Sequence, residues 1–259
     1  MDAEELLESL RDSVRATIEG RAEVAVAYSG GVDSSIIASL AGERAEVKCY
    51  SCAMEGSPDS RNVRSYAEAD GLSLEVMDLP SDDLKRYVGV ASRIMGSTNP
   101  MQVAYTIPVL VVVDGTSEEL LLVGSGADEL FGGYAKYESA KDPRSQMDAD
   151  LAKMLVEKEA LTAFARDQGK TIGYPFATQA MIELAGSMPL ERKLNESGRK
   201  IILREVARLL GLSAHDRPKK AAQYSSGVLR EMERMARSER VHIADWVRAR
   251  SLESEQRSA

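Results

Sequence analysis

The spacing of apolar residues changes along the chain. In "MDAEELLESLRDSVRATIEG" they recur every three or four positions, which predicts an amphipathic helix over about residues 3–19. The next run, "EVAVAY", is short, β-branched and closed by Ser29, and predicts a strand. A helix is expected from Ser34 to about Leu40, with Gly42 as the glycine just past its end. A second strand is expected in "AEVKCYSC", a helix over about residues 60–70 and a third strand in "LSLEVMDL". Helices near 82–95 and 101–114 then lead to a fourth strand in "ELLLVG". Strands alternating with helices at this spacing predict a parallel sheet covered on both faces. From about Asp148 onward only helical patterns are legible, so the expected division is an α/β domain over residues 1–147 and a helical C-terminal subdomain over 148–259.

In a parallel α/β sheet, ligands belong beyond the carboxyl ends of the strands. Two glycine-rich stretches fall there: "SGGVDSS" after the first strand and "GSGADELFGGY" after the fourth. In the first, Gly30 and Gly31 free the backbone for close approach to a ligand, and the helix that follows offers unpaired N–H groups. Ser29, Ser34 and Ser35 add hydroxyl donors, a combination suited to phosphate. Taken alone, such a turn reads first as a helix cap; its place between a strand and a helix, with three hydroxyls around paired glycines, favours phosphate. No lysine completes a Walker loop. The second stretch is not a dinucleotide fingerprint, because Glu129 stands where the third glycine would be. It offers Asp128 and Glu129 instead, and Asp33 with Asp128 could satisfy a Mg²⁺ that also holds phosphate oxygens.

Composition narrows the partners. The chain has 259 residues, 44% of them hydrophobic, and a formal net charge of -8. Nothing in that balance draws it to nucleic acid or an anionic membrane, and neither is an expected partner. The N-terminus has no basic, then apolar, signal pattern, and no apolar run approaches the ~18 residues of a membrane span, so a cytoplasmic location is expected. Cys49 and Cys52 supply half a zinc site at most and are read as two small, semi-buried residues.

The loop "SGGVDSS" resembles the S-G-G-x-D-S signature of the PP-loop proteins, the N-type ATP pyrophosphatases with the adenine nucleotide alpha hydrolase-like (HUP) fold. The resemblance implies that Ser29, Gly30, Gly31, Ser34 and Ser35 hold the pyrophosphate of ATP while Asp33 ligates Mg²⁺. "GSGADELFGGY" resembles the G-E-G-x-D-E-L-F-G-G-Y loop of the asparagine synthetase synthetase domain, a group that includes β-lactam synthetase. "YSCAMEGSPDSRNVRSYAEADGL", "GRKIILREV" and "RPKK" extend the likeness over most of residues 20–228. By this resemblance Gly124, Ser125 and Gly126 would join the ATP site, and Asp128 would share the metal. Glu129 and Tyr134 would line the amino-acid and adenylate pocket, and Lys219 would face the reacting carboxyl or phosphate. Arg217, Lys219 and Lys220 would supply the cations that a polyanionic ligand needs in an acidic protein.

The implied activity is an ATP-dependent, AMP-forming amide ligase: a carboxylate attacks the α-phosphate, and ammonia or an amine then displaces AMP. Two departures bear on substrate and nitrogen source. Ser125 stands where asparagine synthetases usually carry glutamate, so aspartate need not be the carboxylate. Position 2 is Asp2 and about twenty residues precede the first strand, so the glutaminase domain with its N-terminal cysteine is not expected. Ammonia, another amine or a separate glutaminase subunit would provide nitrogen, and a homo-oligomer is compatible with the sequence. Two other readings are a PP-loop enzyme that modifies tRNA and a nucleotide-binding protein without catalysis.

Overall fold

The computed structural model describes residues 1–55, 59–217 and 226–258. Its first half alternates as α1 (Ala3–Thr17), β1 (Glu23–Ala27), α2 (Val32–Ala41), β2 (Glu46–Met54), α3 (Asp59–Ala69) and β3 (Leu74–Leu79). Two consecutive helices, α4 (Ser81–Met95) and α5 (Pro100–Gly115), precede β4 (Leu120–Leu122) and the short α6 (Ala127–Phe131). The second half runs through α7 (Pro143–Asp167), β5 (Thr171–Gly173), α8 (Gln179–Ser187) and α9 (Leu190–Lys193). A two-stranded ribbon, β6 (Leu194–Asn195) with β7 (Gly198–Arg199), leads into α10 (Ile201–Leu209), and α11 (Val228–Ser238) and α12 (Ile243–Ser258) follow.

Five parallel strands form one sheet in the order β3-β2-β1-β4-β5. The chain builds outward from β1 in one direction and then, after α4 and α5, returns to β1's other edge. Ala25 pairs with Leu121 and Val26 with Leu122 there. The strand order therefore reverses between β1 and β4, the position at which the loops beyond two strands diverge and leave a crevice.

Side-chain alternation along β2 feeds both faces. Cys49 and Ala53 join a core built with α1, α2, α8 and α10, whereas Cys52 and Met54 join a core built with α4, α5, α11 and α12. The first helix is anchored by a capping box, with Asp2 accepting from the Glu5 N–H and Glu5 accepting from the Asp2 N–H. It buries Leu6, Leu10 and Val14. Helix α5 is apolar around most of its circumference because it is enclosed, with Ile107, Leu110 and Val113 fully buried.

The helical reading of the second half needs correction. Residues 171–173 add β5 to the sheet beside β4, and residues 194–199 contain the small ribbon. Three residues are too few to display a period of two, and tertiary pairing decides such a segment. The parts expected to divide at residue 147 thus share one sheet. Gly42 closes α2 with φ -64°, an ordinary helical value, so its freedom at positive φ is not what ends the helix. Among the described residues no helix is long and apolar enough to cross a membrane.

Candidate active site

The two glycine loops meet at the reversal in strand order. After β1, Gly30 takes φ +73°, and a Cβ there would fall 2.6 Å from the Tyr66 ring. Glycine is needed on both counts. Gly31 caps α2 without any side chain accepting from the first turn, leaving that helix terminus open to an anion. Ser34 donates its hydroxyl to the Gly31 carbonyl at 3.2 Å and accepts from the Ser29 N–H at 3.2 Å. The Ser29 and Ser34 hydroxyls are 3.3 Å apart, so these serines shape the loop as well as offering donors. Ser35 differs: its side chain is fully buried and its hydroxyl donates inward to Tyr28 Oη at 3.4 Å.

After β4, Gly124 packs against Asp33, where a Cβ would lie 3.1 Å from the Asp33 Cβ. Ser125 is half-buried in the turn, and Gly126 starts α6 at φ +96°. That short helix presents Asp128 toward α2 and carries Glu129 into a buried position. The Tyr134 hydroxyl donates to Glu129 Oε1 at 2.7 Å. Burial raises the Glu129 carboxyl above its usual range; the neighbouring Asp128 charge adds to this, and the Tyr134 bond opposes it. Burial also raises the Tyr134 phenol, with the Glu129 and Asp128 charges in support, so it remains a donor.

Lys200 joins the loops. Its Nζ lies 2.5 Å from Asp33 Oδ2 and 2.5 Å from Asp128 Oδ1. The side chain is only 3% exposed. Burial alone would lower its pKa, but the charges and hydrogen bonds of Asp128 and Asp33 outweigh burial and raise it, so the ammonium stays charged. The backbone of Lys200 is left-handed at φ 56°, at the junction between β7 and α10. Gly133 gives the cluster its room: a Cβ there would sit 1.7 Å from Asp128 Oδ1 and 2.4 Å from Lys200 Cε.

The two expected metal ligands are therefore close enough to share one cation. Asp33 Oδ1 is buried and has no hydrogen-bond partner among the described residues, so coordinating capacity remains. Two carboxylates that leave further positions to phosphate oxygens and water suit Mg²⁺. Among the described residues no three or more His, Cys, Asp or Glu side chains cluster as a metal cage.

Of the expected site residues, Ser29, Gly30, Gly31, Asp33 and Ser34 come together with Gly124, Ser125, Gly126 and Asp128, and Glu129 and Tyr134 form a bonded pair beside them. Lys219 and its neighbour Lys220 lie outside the described residues. Arg217 is not a spare cation for phosphate. Its guanidinium donates to the Gly30 carbonyl at 3.2 Å and to Asp70 Oδ2 at 2.9 Å, bonds the Ser213 hydroxyl, and stacks 4.3 Å over the Tyr66 ring. Lys200 is the residue that sequence reasoning missed. It stands in "GRKIILREV", where a lysine before an amphipathic helix reads as solvated, and only the segment's likeness to the family signalled it.

The chain matches the asparagine synthase family over residues 5–172 and 165–256. A Methanocaldococcus jannaschii protein provisionally named glutamine-hydrolyzing asparagine synthetase 1 is 30% identical over 87% of this chain and 50% of its own length. Glutamine-hydrolyzing asparagine synthetase B of Escherichia coli is 24% identical over 88% of this chain and 45% of its own. The chain thus spans about half the length of these relatives. Among solved structures, NMN synthetase from Francisella tularensis aligns with all of this chain and 94% of its own at 11% identity, with a TM-score of 0.45. With the match extending through both glycine loops and the segment that carries Lys200, the chain belongs to the asparagine synthase family.

Proposed function

We propose that this chain is an ATP-dependent, AMP-forming amide ligase that activates a small carboxylate and passes it to ammonia or an amine. The observation that carries the reading is the convergence of Asp33 and Asp128, from the segments beyond β1 and β4, on the Lys200 ammonium at the reversal in strand order. Family membership supports ATP as the fuel.

In the proposed reaction a substrate carboxylate oxygen bonds to the α-phosphorus, and the bond from that phosphorus to the bridging oxygen breaks. Pyrophosphate leaves with the electron pair. Nitrogen then attacks the acyl carbon, the bond to AMP breaks, and the nitrogen loses a proton. No protein nucleophile is needed, so positioning and charge compensation supply the acceleration.

The loop of Ser29, Gly30, Gly31 and Ser34, with the open end of α2, would hold pyrophosphate. Ser35 would act through loop support, since its hydroxyl faces Tyr28. Gly124, Ser125 and Gly126 would border the nucleotide. Asp33 and Asp128 would hold Mg²⁺, which when bound neutralises phosphate charge. Glu129, oriented by Tyr134, would receive the substrate's amino group, and Lys219 would compensate the charge on the reacting phosphate. Nitrogen would come from ammonia, another amine or a separate glutaminase subunit.

The test is pyrophosphate release from Mg-ATP with ammonia and a panel of amino acids and related carboxylates, with products identified by mass. An amide product and equal AMP and pyrophosphate are expected. Nucleotide binding without any such products across the panel would leave a binding protein instead.

A further inference from the structure

The Asp33–Asp128 pair already holds a cation of its own. Both oxygens are 2.5 Å from the same Lys200 nitrogen, so they stand within about 5 Å of each other, twice that shared distance. A Mg²⁺ with its usual bonds of about 2.0–2.1 Å needs two such oxygens within roughly 4 Å. A divalent ion bridging these two oxygens would therefore require the volume that the ammonium fills.

We infer that Lys200 is a resident counter-ion of the Asp33–Asp128 pair, which a divalent cation must displace, so that nucleotide-free protein binds free metal poorly and takes it up together with polyphosphate. The inference rests on the proposed reading of these carboxylates as metal ligands.

Three features of the chain point this way. Lys200 adopts a left-handed backbone that residues other than Gly, Asn and Asp seldom take, and its ammonium lies between the acids. Gly133 has no side chain where a Cβ would overlap both Asp128 and Lys200, so the space is kept for this contact. The ammonium does not saturate the pair, since Asp33 Oδ1 lacks a partner among the described residues. A doubly charged ion can exploit that oxygen. Removing the acids from Lys200 would strand a buried ammonium unless another anion arrived. Polyphosphate brings one, and the flexible four-carbon stem lets the ammonium follow it.

The experiment titrates nucleotide-free protein with Mn²⁺ and reads free Mn²⁺ by electron paramagnetic resonance. The unaltered protein should bind on the order of millimolar or weaker. Lys200→Met should bind at least ~10-fold more tightly, because even a screened unit charge at this distance shifts the equilibrium that far. Lys200→Arg, which keeps the charge, should remain weak. A folded Lys200→Met with unchanged Mn²⁺ affinity overturns the inference, as does low-micromolar Mn²⁺ binding by the unaltered protein that disappears in Asp128→Asn. Should Lys200→Met not fold, the unaltered protein decides. Mn²⁺ uptake with a non-hydrolysable ATP analogue that exceeds the sum of protein alone and analogue alone supports the counter-ion role, and uptake equal to that sum refutes it. None of these readouts needs turnover, so absence of pyrophosphate release alongside the expected Mn²⁺ behaviour would sink only the ligase reading.

Discussion

Tyr134 and Glu129 are joined by a 2.7 Å hydrogen bond at a carboxylate that is 7% exposed. The phenol orients the acid without neutralising it. Burial, and with it the repelling charge of Asp128 next to it in the chain, disfavours the ionised form and raises its pKa. Arrangements that cost stability in this way are characteristic of groups kept for chemistry.

Glu129→Gln should therefore separate stability from activity. The amide still accepts from Tyr134 but carries no charge. Because the folded carboxyl titrates above its unfolded value, its contribution to stability is present below the unfolded pKa and is lost as pH rises through the folded one. The variant should accordingly gain melting temperature relative to the parent at neutral pH, with the gain shrinking as pH falls through the carboxylate range. Pyrophosphate release should drop by ~10²-fold or more if the carboxylate binds the substrate's amino group. Melting curves across pH, read beside turnover, check both halves.

Gly133→Ala tests the space between the loops. A methyl group 1.7 Å from Asp128 Oδ1 cannot be accommodated without moving the carboxylate or Lys200. A destabilisation of about 1–3 kcal/mol is expected from overpacking, with near-complete loss of nucleotide binding. Denaturant unfolding and calorimetric titration with Mg-ATP measure the two effects. Wild-type affinity in the alanine variant would contradict the geometry.

Arg217 and Asp70 form a buried pair, with side chains 9% and 0% exposed. Arg217→Ala leaves that carboxylate without its guanidinium and should cost about 3–5 kcal/mol. Adding Asp70→Asn should recover part of the loss, because the stranded charge goes with it. Arg217→Lys should rescue poorly, since one ammonium cannot reproduce the bonds to Gly30, Tyr66 and Asp70. Equilibrium unfolding of the three variants and the parent supplies the comparison.

Cys49 and Cys52 should be inert in the folded protein. They lie on opposite faces of β2, and burial pushes each thiol up to about 12, with Asp78 adding to the effect at Cys52. A colorimetric thiol reagent should find no fast-reacting group until denaturant is added, and zinc chelators should leave stability unchanged. Rapid titration of either thiol under native conditions would show that the strand opens.

The parts of the fold legible in the sequence were those with local causes. The switch from a period of two to one near 3.6 marks β1, α2, β2 and β3, and paired glycines beyond β1 and β4 mark both loops. Asp33 and Asp128 were legible because each follows such a loop directly. Lys200 was not, since its significance comes from two carboxylates distant in the chain, and its own neighbours suggest only the start of an amphipathic helix. Arg217 was legible as a cation but not as one already engaged by Asp70 and the Gly30 carbonyl. The three residues of β5 gain their conformation from pairing with β4, for which no local pattern exists.

The adjacency of β1 and β4 also constrains when the crevice can exist. A nascent chain can assemble β1, β2 and β3 from nearby segments, but the partner loop waits for Leu121 and Leu122 to dock beside Ala25 and Val26, and the bridging lysine comes later still. Long-range pairing of this kind is slow relative to local helix and hairpin formation. On the proposed reading, nucleotide can reward a completed fold but cannot template its early stages, and any fragment ending before residue 200 should show no added protection from proteolysis when Mg-ATP is supplied.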